Sequence, residues 1–144
     1  MLVIENLVKK YGRFTAVDGL SLEIGPGHCY GFVGPNGAGK TTTMKIVAGL
    51  LRPTAGKVRV AGIDVVENPR EAKAKIGYMP DFFGVYDNLK VSEYMEFYCG
   101  LYGVEYRKRA VITDQLLELV NLTDKKDAYV DTLSRGMKQR LCLA

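Results

Sequence analysis

At 144 residues and 47% hydrophobic content, the chain is long enough for one domain with a sizeable core. Its net charge of +4 comes from 20 basic against 16 acidic residues spread along the sequence, so short clusters such as Arg107, Lys108, Arg109 and Lys125, Lys126 read as solvated faces rather than a nucleic-acid footprint. Charged residues interrupt every apolar run well before the roughly 18 residues a membrane-crossing helix needs, and Glu5 within the first strand-like stretch argues against a secretory leader.

In chain order, Leu2 to Leu7 alternates as a strand, and Val17, Leu20, Leu22 and Ile24 mark a second one before the turn at Gly25, Pro26 and Gly27. Between them lies a tight turn carrying Tyr11, an aromatic that can either stack on a flat base or simply pack at the surface. His28, the single histidine, sits in a turn and reads as structural. Cys29, Cys99 and Cys142 are odd in number, far apart and without metal-ligand spacing; they read as small core residues of a reducing compartment.

The apolar run Cys29 to Val33 predicts a strand, and it leads into Gly34, Pro35, Asn36, Gly37, Ala38, Gly39, Lys40, Thr41 and Thr42. Two glycines five apart, followed by lysine and a hydroxyl residue, form the phosphate-cradling pattern; in a chain of this composition it arises by chance in about one case in a hundred. The glycines let successive N–H groups turn inward at phosphate oxygens, and the loop enters a helix at its positive end. On this reading Lys40 reaches the β and γ phosphates and the Thr41 hydroxyl is a ligand of Mg2+. Met44, Val47, Ala48 and Leu51 predict one apolar face of the helix that follows, which ends within Arg52 to Gly56.

Two short strands, Lys57 to Ala61 and Ile63 to Val65, flank Gly62 as a hairpin, followed by a charged helix at Pro69 to Lys75 and a strand at Ile76 to Met79 stopped by Pro80. Asp81 to Lys90 reads as a loop. Beyond it, Tyr94, Phe97, Tyr98 and Leu101 define one helical stripe, and Ile112, Leu116 and Leu119 define another on a helix from about Tyr106 to Val120. Ser134 is a plausible N-cap before Gly136, which gives a second helix start suited to an anion.

Taken together, the chain resembles the nucleotide-binding domain of ATP-binding cassette proteins over its whole length. The resemblance rests on Tyr11 in the place of the adenine-stacking aromatic, Gly34 to Thr42, the loop after Met79, and Leu133 to Arg140 in the place of the family's LSGGQ motif. It implies an α/β P-loop NTPase fold: a mixed or parallel sheet core, N-terminal antiparallel strands and an inserted helical subdomain. The implied division is a nucleotide-binding core at 1–80, a helical subdomain at 81–132 and the start of a signature helix at 133–144. ATP and Mg2+ are the implied cofactors, Lys40 and Asp81 the catalytic residues, and Thr41 and Asp81 the metal ligands. Ser134 and Gly136 would act in trans on the ATP of a second cassette. A transmembrane permease is the implied membrane partner, which places the protein in the cytoplasm at the inner face of the membrane, with no direct nucleic-acid contact expected.

The chain departs from the pattern at three places. Asp81 stands where the family has a glutamine that senses the metal and the attacking water, and Arg135 and Met137 replace Gly and Gln of the signature. Such signatures resemble those of exporter ATPases. The metal-binding Asp, catalytic Glu and switch His that follow the signature helix in the family are not among these 144 residues. The sequence therefore reads as a cassette whose C-terminal core strands are missing, marginal on its own and not hydrolytic. The alternative reading is a soluble cassette ATPase that acts on nucleic acid or the ribosome.

Overall fold

The computed structural model describes residues 1–80 and 88–144, which form two compact units, Met1–Tyr78 and Met79–Ala144. The first is built on an antiparallel hairpin of β1 (Leu2–Tyr11) and β2 (Phe14–Ile24). Alternation in the sequence predicts shorter strands, because it fades after Leu7. The ladder nevertheless continues to the pair Tyr11 and Phe14 across a two-residue loop, Gly12 and Arg13. Both aromatics are exposed there, so this end of the hairpin has no buried face to impose a period of two.

Helix α1 (Lys40–Val47) follows the glycine-rich loop, and β3 (Ala55–Val60) returns to pair antiparallel with β1. The sheet is completed by β4 (Ile63–Asp64), giving the order β2, β1, β3, β4. Ala61 and Gly62, both at positive φ, form the turn between β3 and β4, as the position of Gly62 predicts. Opposite Gly56, β1 bulges at Asn6. A Cβ on Gly56 would lie 2.4 Å from the Asn6 carbonyl oxygen, so no other residue fits this register. Helix α2 (Pro69–Lys73) starts with proline, whose missing N–H is not needed at that position.

The core of this unit joins Ile4, Leu7, Val17, Ile46, Val58, Val65 and Ala72. Full burial of a side chain the size of Leu7, Ile46 or Val58 stabilises by about 1.5–3 kcal/mol. Of the predicted face of α1 and the residues after it, Val47 and Leu51 pack on this core and Ala48 is buried, whereas Met44 is exposed and Ile46 takes the central place, with Thr43 also buried. The helix also ends earlier than predicted. Gly49, at φ 66°, donates to the Ile46 carbonyl while Leu50 donates to that of Lys45, a Schellman closure that satisfies two terminal carbonyls.

Two predicted strands are not strands among the described residues. Cys29 to Val33 and Ile76 to Met79 carry no ladder, and Tyr30, Val33, Tyr78 and Met79 are exposed, Val33 at 92%. A strand is defined by its neighbours, and among the described residues no segment pairs with either stretch. The described sheet is therefore antiparallel throughout, and the parallel pairing expected beside the phosphate loop is not formed within it. Cys29 is exposed rather than in the core; Cys99 is buried as expected.

The second unit packs α3 (Val91–Leu101), α4 (Tyr106–Leu119), two 3₁₀ turns (Thr123–Lys125 and Val130–Thr132) and α5 (Arg135–Leu143) around Val91, Tyr94, Met95, Leu117, Val120, Leu122, Val130, Leu133 and Leu141. Glu93 accepts from the Lys90 N–H at 2.8 Å and so fixes the start of α3. The stripes predicted for these helices are rotated by about one residue. Tyr94 is buried and Tyr98 and Leu116 pack on the core as the stripes predict, but Met95 and Cys99 are buried while Phe97 and Leu101 are exposed, and Thr113 and Leu117 are buried while Leu119 is exposed. Both helices carry apolar residues on more than one face, so periodicity alone does not select the buried one.

Candidate functional site

The glycine-rich loop runs exposed from Gly34 through Ala38 and closes on itself. The Ala38 N–H donates to the Pro35 carbonyl at 3.2 Å, and Gly37 and Gly39 take φ of 86° and 83°, which turn the chain into α1. Gly39 is fixed by contact as well as by angle. A Cβ there would meet the Ala16 carbonyl oxygen at 2.3 Å and Val17 Cγ2 at 3.1 Å, so the loop ends pressed against β2. The N-cap of α1 is Gly39 and offers no side-chain cap, which leaves the first-turn amides of the helix available to an anion. Lys40, in that first turn, curls its ammonium back to the carbonyls of Gly34 (2.5 Å) and Pro35 (2.7 Å). Thr41 is exposed, Thr42 half-buried and Thr43 buried, so of the three hydroxyl residues Thr41 is the one open to solvent.

Tyr11 lies beside the turn of the same hairpin whose second strand abuts Gly39, and the residue is 49% exposed. The Lys9 ammonium lies over that ring, 5.1 Å from its centroid. The sequence reading passed over Lys9. The available signal was its spacing of two from Tyr11, which places both side chains on one face of β1.

In the second unit, Ser134 caps α5 by accepting from the Met137 N–H at 3.3 Å. Gly136 is exposed in the first turn, with nothing within 4 Å of where a Cβ would be, so space alone does not require glycine there. Asp81 lies outside the described residues. The basic clusters are engaged locally. Glu105 pairs with Arg107 and Lys108, Asp124 with Lys125 and Asp114 with Lys126, while Arg109 donates to the Val104 carbonyl. Burial pushes the Cys142 thiol pKa above its ordinary value.

Two solved structures share this fold at a TM-score of 0.85 and 24% identity, each matching 99% of the chain. One is described as the ATP binding subunit of an ABC transporter, with 60% of its length covered; the other is a dimeric bacterial ABC transporter cassette, with 67% covered. The fold is thus that of the P-loop NTPase cassette. A family model described as ABC transporter matches residues 17–144, and the chain belongs to that family. The chain is 39% identical over 140 residues to Nod factor export ATP-binding protein I of Paraburkholderia xenovorans (strain LB400). It is equally similar, over the same length, to the probable multidrug ABC transporter ATP-binding protein YbhF of Escherichia coli (strain K12). These alignments take in 97% of the chain but 46% and 24% of the two proteins, so the chain spans about half the length of the first of them. Among the described residues, no helix is long and apolar enough to cross a membrane.

Proposed function

We propose that this chain is the nucleotide-binding part of an ABC transporter ATPase subunit, which couples ATP binding and hydrolysis to export of a substrate across a membrane. The observation that carries this reading is the loop at Gly34 to Thr42. Its glycines at positive φ lead into an uncapped helix start, and one lysine is held at the loop's mouth. Such a site suits a polyphosphate, because main-chain N–H groups and the positive helix end stabilise anionic oxygens without a change in protonation. Lys40 would exchange its two carbonyl partners for the β and γ phosphate oxygens, with Asn36, Ala38 and Thr42 among the residues lining the tail, and Tyr11 would stack on the base.

The exposed Thr41 hydroxyl is a hard oxygen donor of the kind Mg2+ selects, and Asp81 would add a carboxylate. Bound there, the metal would offset the charge of the β and γ phosphates. Ser134 and Gly136 would contact ATP held by a second cassette, and residues 81–132 would form the helical subdomain facing a membrane permease, with 1–80 as the nucleotide-binding core and 133–144 as the start of the signature helix. The names of the relatives support export, and with it a cytoplasmic position at the inner face of the membrane. The local pairing of the basic clusters supports this reading over a nucleic-acid partner.

The test uses the full-length protein. Calorimetry with Mg-ATP is expected to show binding, and Lys40→Ala is expected to lower turnover by about 10²–10³-fold, the loss typical of removing one preorganised charge-stabilising donor. A folded full-length protein that bound neither ATP nor GTP would end the proposal.

A further inference from the structure

Both ends of the phosphate-loop helix are fastened to the β1–β2 hairpin, and Lys9 lies where these fastenings meet. At the front of α1, Gly39 touches Ala16 and Val17 of β2, and Val17 is the cross-strand partner of Lys9. Behind α1, three bonds tie the end of β1 to the segment that follows the helix. The Lys9 ammonium donates to the Arg52 carbonyl at 2.8 Å, the Lys10 N–H donates to Thr54 Oγ1 at 2.9 Å, and the Thr54 N–H donates to the Val8 carbonyl at 2.8 Å. Two of these use the main chain of β1 and need no particular side chain from that strand, although one of them needs the Thr54 hydroxyl. The third uses the Lys9 ammonium, which at the same time lies over the ring of Tyr11.

We propose that Lys9 is a positioning residue for the nucleotide base: anchored on the Arg52 carbonyl, its ammonium holds one face of the Tyr11 ring and leaves the opposite face as the platform for a purine. The inference rests on the reading of Tyr11 as a base platform given above. An exposed tyrosine at a hairpin tip has several rotamers, and ordering one of them on binding opposes affinity. A cation over one face selects a single orientation in advance. It also draws π density toward itself, so the opposite face becomes a better partner for an electron-rich ring. Stacking carries no hydrogen-bond code, so adenine and guanine benefit alike.

The experiment measures, in the full-length protein with Mg2+ present, the affinities for ATP, GTP and inorganic tripolyphosphate. The variants are Lys9→Met, Lys9→Arg, Tyr11→Ala and the double variant Lys9→Met with Tyr11→Ala. Lys9→Met is expected to weaken ATP and GTP by about two- to fivefold, the range a solvent-facing cation–π contact supports, and to leave tripolyphosphate unchanged. Lys9→Arg is expected to keep nucleotide affinity near wild type, because the guanidinium also donates and also stacks. In the Tyr11→Ala background, Lys9→Met is expected to add no further loss.

Equal losses for nucleotide and tripolyphosphate would overturn the proposal, since the ammonium would then act on the phosphates or on folding. So would a silent Lys9→Met, or a loss that persists without Tyr11. If Tyr11→Ala itself leaves ATP affinity unchanged, the base-platform reading falls and takes this proposal with it. A large loss in Tyr11→Ala beside a silent Lys9→Met would leave that reading standing and remove only the role of Lys9.

Discussion

Single residues set the geometry of the loop, and Gly39 shows how tightly. Its φ of 83° and the 2.3 Å that would separate a Cβ from the Ala16 carbonyl act together, so relief by rotating a side chain is not available. Gly39→Ala is expected to lower stability by about 1–3 kcal/mol, read as a shift in the denaturation midpoint. Gly31→Ala is the control. A Cβ there meets nothing within 4 Å, and the change is expected to stay within about 0.5 kcal/mol. The thiols give a second readout at this scale. Cys29 is exposed, Cys99 is buried, and burial holds the Cys142 thiol above its ordinary pKa, which leaves it with less thiolate near neutral pH. Alkylation followed by mass spectrometry is expected to label Cys29 first and Cys142 more slowly, with the Cys142 rate still rising at pH values above the ordinary thiol pKa.

Among the elements, those whose signal is local were legible in the sequence and those defined by a neighbour were not. The turn of Gly37 and Gly39 into α1, the hairpin around Gly62 and the Ser134 cap each follow from a few residues with special backbone or side-chain chemistry, and each is present where the sequence places it. The stretches at Cys29 to Val33 and Ile76 to Met79 read as strands because they are short and apolar, a composition shared with any buried extended segment. Whether they enter a ladder depends on what lies beside them, which no window of sequence contains. The helices of the second unit lie where the sequence places them, and Tyr94, Tyr98 and Leu116 of the predicted stripes meet the core, but the centre of each buried face is offset by about one residue. Leu119 and Leu101 look as suitable for burial as Leu117 and Cys99, and the choice is made by the shape of the surrounding core. Lys9 was missed for a related reason: its role comes from a carbonyl 43 residues further along.

For the molecule as a whole, each unit carries its own apolar cluster: the first is centred on a sheet with α1 laid against it, the second on α3, α4 and α5, with Val120, Leu122 and Leu133 added from the segments between the helices. Within the second, Arg140 of α5 donates to the carbonyls of both Val120 and Asn121, at 3.0 Å each, just where α4 comes to an end. These are the acceptors that a helix terminus otherwise leaves to water, and a guanidinium there also complements the negative end of the dipole. These two bonds tie the end of α4 to the body of α5, and the expected consequence is that the two open together. Backbone amides of 119–122 and 138–143 are expected to exchange with deuterium at a common opening free energy, and Arg140→Met is expected to split them into two classes. The chain thus closes the end of one helix with a side chain borrowed from another twenty residues later, so the finish of α4 is set by the seating of α5.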